Sequence, residues 1–137
     1  MFLHKLEKDE KTTFLAFAKQ IAMVNDETID DQERYMLQYM AMEMGLDYEA
    51  LEREDAIPVF SIDKVATVFH RPAARRVLLL EGLGIATAHG KLEPRQEELL
   101  RQLVAKFNMD AGYLDRARGV VSRQLEVMRE LEELVNA

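Results

Sequence analysis

A helical hydrophobic periodicity that recurs after 63 positions is the feature of this chain that most constrains its fold. Identical residue types recur 63 positions apart, without a gap, at Leu15 and Leu78, Leu37 and Leu100, Asp47 and Asp110, and Leu51 and Leu114. When two unrelated helices are aligned, their apolar positions readily match by chance, whereas their capping residues and turns rarely match too. The sequence therefore predicts two copies of one helical hairpin unit, packed about a pseudo-twofold axis.

Capping residues and prolines mark the expected helix boundaries. The expected caps and first-turn residues are Thr12 or Thr13, Asp30, Ser61, Pro72, Pro94, and Asp47 with its counterpart Asp110. Gly45 is expected to end the second helix, and Gly119 to kink or divide the last one. Because strand signals are weak, we predict an all-α bundle of seven or eight helices. It forms a single domain over 1–137, with repeat 1 at about 1–56, repeat 2 at about 61–118 and a C-terminal helix at about 119–136.

Charge is distributed unevenly along the chain. The 137 residues carry a net charge of −7. Residues 1–68 contain 7 basic and 15 acidic residues, whereas residues 69–137 contain 11 basic and 10 acidic residues. An acidic surface repels phosphate backbones, so we expect no nucleic-acid partner. The densest basic group is Arg71, Arg75 and Arg76, for which a solvated helix face and an anion contact both stay open.

Composition excludes several classes of chemistry. The chain has no cysteine, which excludes disulfides and thiolate metal sites. The longest central aliphatic run, 77–80, is too short for a bilayer span, and the first five residues carry charges where a signal peptide needs apolar residues. We therefore expect a cytoplasmic protein without a transmembrane segment. No nucleophile–base pair stands out, so a non-enzymatic role is expected.

An acidic turn surrounds the predicted capping residue Asp30. Five of the nine residues 25–33 are carboxylates and none is basic. In one interpretation the acids only cap a helix, because Asp30 and Glu33 form an Asp-x-x-Glu capping box. In the other, Asp26, Asp30 and Glu33 hold a divalent cation such as calcium or magnesium weakly. The equivalent turn of the second copy has His89 in place of Asp26 and carries basic residues, so it predicts a poor cation site.

Methionines recur at helical spacing after this turn. Met36, Met40 and Met44 stand four residues apart, which is typical of a buried helix face and is also found at adaptable binding grooves. Met42 lies off that stripe and is expected to be exposed. In the second half, Gly82 and Gly84 are expected to allow close helix packing rather than to bind phosphate.

The two turns resemble the motif of the TerB-like family, the helical module of tellurite-resistance proteins. The first copy reads Val24-Asn25-Asp26-Glu27-Thr28-Ile29, then Glu33, then Met44-Gly45-Leu46. The second copy reads Ala88-His89-Gly90-Lys91-Leu92, then Gln96, then Phe107-Asn108-Met109. The resemblance implies a duplicated all-α fold over nearly the whole chain. It also implies that Asp26 and Glu33 match the acids suspected of metal binding in that family.

These observations predict a non-enzymatic, acidic interaction module that acts in a stress-response protein complex. Its expected partners are proteins, with peripheral association to an inner-membrane complex and a homodimer as further expectations. The alternative is a calcium- or magnesium-binding regulator that uses the acidic turn 26–33. Beyond such a divalent cation, no cofactor is expected.

Overall fold

The computed structural model describes residues 1–23, 28–88 and 90–137. Within these ranges the chain forms seven α-helices and no strand, which confirms the predicted all-α class. A short 3₁₀ turn, Leu3–Lys5, precedes the helices. The helices are α1 (Lys8–Ala22), α2 (Asp31–Glu43), α3 (Tyr48–Arg53), α4 (Ile62–Val68), α5 (Pro72–Thr87), α6 (Pro94–Lys106) and α7 (Tyr113–Asn136).

Most helix starts follow the capping residues that the sequence indicated. The side chains of Asp30, Asp47 and Ser61 each accept a hydrogen bond from the backbone N–H three residues later. Each bond satisfies an N–H group that has no partner inside its helix. Pro72 and Pro94 occupy the first positions of α5 and α6, where a missing N–H costs nothing.

The predicted start of the first helix is wrong. Thr12 and Thr13 lie inside α1, which already begins at Lys8. Glu7 is the N-cap residue, and its N–H donates to the Glu10 carboxylate at 2.7 Å. This Glu-x-x-Glu cap places an acidic residue in the first turn. Helix α1 therefore begins upstream of the threonines.

Helices α2 and α6 match each other at a spacing of 63 positions. Their bounds are 31–43 and 94–106, and a residue of positive φ ends each one, Gly45 at +76° and Asn108 at +55°. After each, the next residue donates its N–H to the carbonyl five positions earlier, at 2.8 Å and 3.1 Å. Both helices thus end in the same left-handed cap, built from glycine in one case and asparagine in the other.

Helix α1 packs against α5 at the centre of the molecule. Around this pair, α1 also contacts α2 and α4, while α5 contacts the 3₁₀ turn, α6 and α7. The side chains of Leu37 and Leu100 are fully buried in the shared core, as their positions on α2 and α6 predict. One continuous apolar core therefore holds all the helices together.

Gly82 permits the close approach of three helices. A Cβ atom at this position would lie 2.6 Å from Cζ of Phe17 on α1 and 3.1 Å from Cδ2 of Leu100 on α6. Gly84, two residues later in α5, has no such neighbour within 4 Å. Gly82 thus has the close-packing role expected from the sequence, whereas Gly84 has open space beside it.

The last helix is longer than predicted. Helix α7 runs unbroken from Tyr113 to Asn136, so the C-terminal helix begins at Tyr113 rather than near 119 and is not divided at Gly119. Its N-cap residue is Gly112, so the expected cap at Asp110 is wrong. Leu114 and Ala117 are its buried residues. Its N-terminal part therefore belongs to the core and its remainder extends away from it.

A buried ion pair fixes the start of α5 against the start of α1. The Arg71 guanidinium donates to both carboxylate oxygens of Glu10, at 2.6 Å and 3.0 Å, and to the Lys5 carbonyl at 3.1 Å. The Glu10 residue is only 3% exposed. Burial would raise the pKa of Glu10, but its hydrogen bond with Arg71 and the bond from the Glu7 N–H outweigh burial and hold that pKa below its ordinary value.

The two glycines of α5 form a matched test of this packing. We expect Gly82→Ala to lower the free energy of unfolding by about 1–3 kcal/mol, because the added methyl group must displace the buried ring of Phe17. Gly84→Ala should raise it by up to about 1 kcal/mol, because alanine favours the helix and meets no neighbour. Urea denaturation measures both. Equal effects of the two substitutions would show that Gly82 is not a packing position.

The Glu10–Arg71 pair predicts a pH-dependent stability. Because the folded-state pKa of Glu10 lies below its ordinary value of 4.5, the pair stabilises the fold above that pH and its contribution is lost as pH falls through the folded-state pKa. Arg71→Leu should therefore lower the thermal midpoint most near neutral pH, and the difference should shrink in acid. As a control, Arg101→Leu removes an exposed pair with Asp115 and should change the midpoint little at any pH. A deficit for Arg71→Leu that is constant with pH would contradict this role.

Candidate functional site

The structure uses the predicted cation ligands Asp30 and Glu33 to cap α2. The Glu33 N–H donates to Oδ1 of Asp30 at 2.7 Å, and the Asp30 N–H donates to Oε1 of Glu33 at 3.1 Å. Each carboxylate therefore has one oxygen engaged in a reciprocal capping box, as the first interpretation of this turn predicted. Asp26, the third predicted ligand, lies outside the described residues, as does His89 of the second turn.

Described residues of the two turns line a small cavity of about 220 Å³. Glu33 lines it from the first turn, and Lys91, Glu93 and Gln96 line it from the second. Gln96 is buried and donates to the Ile21 carbonyl at 3.1 Å, so its amide joins α6 to the end of α1. Residues 1–23, 28–88 and 90–137 contain no group of three or more His, Asp or Glu side chains placed to hold a metal ion. Cation binding by Asp26, Asp30 and Glu33 stays a prediction.

A larger, apolar groove lies between the 3₁₀ turn, α2 and α5. Its volume is about 760 Å³, and its apolar lining is supplied by Met1, Leu3, Tyr35, Met36, Tyr39 and Met40. Leu3 is fully buried, whereas Met36 and Met40 are only partly covered by the core. The methionine side chains thus form a floor that remains accessible from solvent.

Two tyrosines make the groove unusual for a protein surface. Tyr35 and Tyr39 stand four residues apart on α2, so their rings project from the same side of the helix. They are 71% and 67% exposed. Large aromatic side chains with an apolar floor beside them are typical of interaction sites, because their exposure costs free energy that a partner recovers.

The sequence interpretation found only part of this groove. Of the two interpretations of the methionine stripe, the buried helix face holds for Met44, which is fully buried, while Met36 and Met40 border the groove. Met42 is 71% exposed, which confirms that it lies off the stripe. Tyr35 and Tyr39 were not identified as site residues. Each directly precedes a methionine of the stripe, and a large aromatic residue in that position marks the boundary between the apolar and the exposed face of a helix.

The rim of the groove is acidic. Asp31, Glu43 and Glu81 border it, and none of its described lining residues is Lys or Arg. Glu43 accepts the Leu3 N–H at 2.9 Å and Glu81 accepts the Phe2 N–H at 2.8 Å. The two carboxylates therefore hold the first residues of the chain beside α2 and α5 and shape one wall of the groove.

The N-terminal ammonium of Met1 also contacts this rim, 2.9 Å from Glu43 and 3.0 Å from Glu81. Burial opposes its charge, but the hydrogen bonds to Glu43 and Glu81 outweigh burial and raise the pKa of the ammonium above its ordinary value. Because Asp31 also borders the groove, the rim has three carboxylates and one ammonium and is negative.

The basic group at the start of α5 is largely structural. Arg71 pairs with the buried Glu10, as described above. Arg75 donates from Nε to the Phe69 carbonyl at 2.6 Å, and its guanidinium carbon lies 4.9 Å from the centre of the Phe107 ring. These contacts secure α5 to α4 and α6, and an anion contact of the basic group stays a prediction.

Comparison of the chain with protein-family models, with curated proteins and with solved structures finds no match. In the described part of the chain, no helix has the length and apolar character needed to cross a membrane. The geometry of the groove is therefore the principal evidence about function.

Proposed function

We propose that this protein is a non-enzymatic interaction module whose groove on α2 binds an apolar segment of a protein partner. The observation that carries the proposal is the exposed pair Tyr35 and Tyr39 beside a floor of methionines. Methionine is unbranched and polarisable, so such a floor adapts to side chains of different shape. Tyrosine supplies a large contact area at a small cost in conformational entropy, and it is frequent at interface hot spots.

The charge of the rim supports a proposal for the chemistry of the partner. The groove is bordered by Asp31, Glu43 and Glu81, and residues 1–68 as a whole carry 15 acidic against 7 basic residues. A segment with bulky apolar side chains between lysines or arginines matches both the floor and the rim. An acidic segment is repelled, so the rim selects among apolar partners.

The polar groups of the groove favour binding over catalysis. Glu43 and Glu81 accept hydrogen bonds from the backbone of residues 2 and 3, so they fix local structure. Asp31 is exposed at the first turn of α2, where an acidic side chain interacts favourably with the helix dipole. Each of the three carboxylates thus has a structural role that also gives the groove its charge.

We further propose the TerB-like architecture of two related halves, in which α1 corresponds to α5, α2 to α6, α3 to α7 and the 3₁₀ turn to α4. Its support is that the helix contacts agree with this exchange: α1 contacts α4 as α5 contacts the 3₁₀ turn, and α2 contacts the 3₁₀ turn as α6 contacts α4. The matching caps of α2 and α6 support it as well. A role in tellurite resistance or stress response, within a protein complex, follows from this proposal together with the motif resemblance.

A tryptophan-labelled peptide tests the groove directly. The protein has no tryptophan, so the fluorescence of a peptide tryptophan reports the peptide alone. We expect an amphipathic helical peptide of leucine, lysine and one tryptophan to bind, with a blue shift of its emission. The same peptide with glutamate in place of lysine should bind much more weakly, because the rim is acidic. Added salt should weaken the lysine peptide.

Matched variants of α2 locate the binding. The double substitution of Tyr35→Ser and Tyr39→Ser should raise the Kd of the lysine peptide about tenfold or more, as expected for hot-spot residues. Met42→Ser removes an equally exposed side chain of the same helix outside the groove and should leave the Kd unchanged. An equal rise in Kd in the tyrosine double variant and in Met42→Ser would contradict the proposed groove. Equal affinity of the lysine and glutamate peptides would contradict it as well.

A further inference from the structure

The C-terminal part of α7 exposes an apolar face. The helix has 24 residues, about 36 Å at 1.5 Å per residue, and its buried residues are only Leu114 and Ala117. Beyond Leu125 every residue is exposed, and the large apolar side chains there are each at least half exposed: Val127, Met128, Leu131, Leu134 and Val135. A helix that has left its own core in this way gains free energy if another surface covers that face.

The spacing of these residues is that of a coiled-coil seam. Starting at Val120, the positions alternate by four and three residues through Gln124, Val127, Leu131 and Leu134. This alternation is the a/d pattern of a two-stranded coiled coil, in which the seam of one helix packs into the seam of another. The partner that fits this face is therefore a helix with the same repeat.

Charge along α7 favours an antiparallel copy of the same helix. Basic residues dominate its first half, at Arg116, Arg118 and Arg123, whereas its last part carries Glu126, Glu130, Glu132 and Glu133 around a single arginine, Arg129. Parallel copies would place like charges side by side. Arg116 and Arg118 already pair with Asp110 and Glu97 of their own subunit. Antiparallel copies place the remaining Arg123 of each helix beside the acidic end of the other.

We propose that two copies of this chain associate through an antiparallel pair of α7 helices. In the register that aligns the seams, Val120 packs against the partner subunit's Leu131, and Gln124 against the partner subunit's Val127. The same register places Arg123 beside the partner subunit's Glu130, and the twofold axis repeats each contact. Within the described part of the chain neither Arg123 nor Glu130 forms an ion pair, so both are available to the partner.

The groove on α2 of a second copy is a poor alternative binding site for the exposed face of α7. Residues 124–137 carry four glutamates and one arginine, and the groove rim carries Asp31, Glu43 and Glu81. The acidic end of α7 is therefore repelled by the groove of a second copy, whereas it complements the basic part of a second α7. The dimer uses a different face from the proposed peptide groove, and the two surfaces meet at Met1, which lines the groove and contacts Gln124.

Gln124 fixes the register of the pair. It is the only polar residue of the seam from Val120 to Leu134, and it lies next to the twofold axis. A single polar residue at a seam position costs stability, but near the twofold axis it lies one layer from the partner subunit's Gln124, whereas registers shifted by one heptad would place it opposite only the partner subunit's Val120 or the partner subunit's Leu134. In the free subunit its amide contacts Sδ of Met1 at 3.5 Å, a weak bond that association replaces readily.

Sedimentation equilibrium with charge-reversal variants tests the proposal. We expect a reversible dimer whose Kd rises about tenfold or more in Arg123→Glu and in Glu130→Arg, because each change places like charges together twice. The double variant of Arg123→Glu with Glu130→Arg should recover dimerisation. Arg129→Glu reverses a charge on the opposite side of the helix and serves as the control. A monomer at all concentrations, or failure of the double variant to recover, would overturn the proposal.

Orientation is tested by disulfide formation, because the chain has no cysteine of its own. When the V120C and L131C proteins are mixed and oxidised, the antiparallel register predicts the mixed disulfide between them. A parallel pair would instead give the disulfide of each variant with itself, which would refute the proposed register. Circular dichroism of each variant checks that the helix is retained.

Discussion

The contact of α1 with α5 at Gly82 is the constraint on which the rest of the structure depends. A residue without a side chain lets the ring of Phe17 reach the backbone of α5, with Leu100 of α6 against the same point. This contact joins three helices in one layer of the core. Since interiors are packed almost as densely as crystals, the positions of α2, α4 and α7 follow from this central pair and the side chains around it.

The candidate groove is a consequence of that packing. Helix α2 buries Leu37 and Ala41 against the core, so its adjacent face must remain at the surface. The first residues of the chain are held beside this face by Glu43 and Glu81, and they deepen it into a groove. The same carboxylates give the rim its negative charge. Local structure and partner selection therefore depend on the same side chains.

Sequence reasoning succeeded where the signal was local. The caps at Asp30, Asp47 and Ser61 need only a side-chain oxygen and a backbone N–H three residues later, so the sequence contains all the information. The groove could not be predicted in this way, because the exposure of Tyr35 and Tyr39 depends on which face of α2 the core covers. The first helix start was missed since a Glu-x-x-Glu cap is less distinctive than a threonine.

Amide hydrogen exchange, with and without the lysine–leucine–tryptophan peptide, tests the central claim that α2 carries the binding site. The account predicts slower exchange across 31–43 when the peptide is present and no change across 94–106, the helix with the same length and the same end geometry. Because the two helices match so closely, a difference between them reports the groove and not a general stabilisation. Slowing in both helices to the same extent, or in neither, would contradict the account.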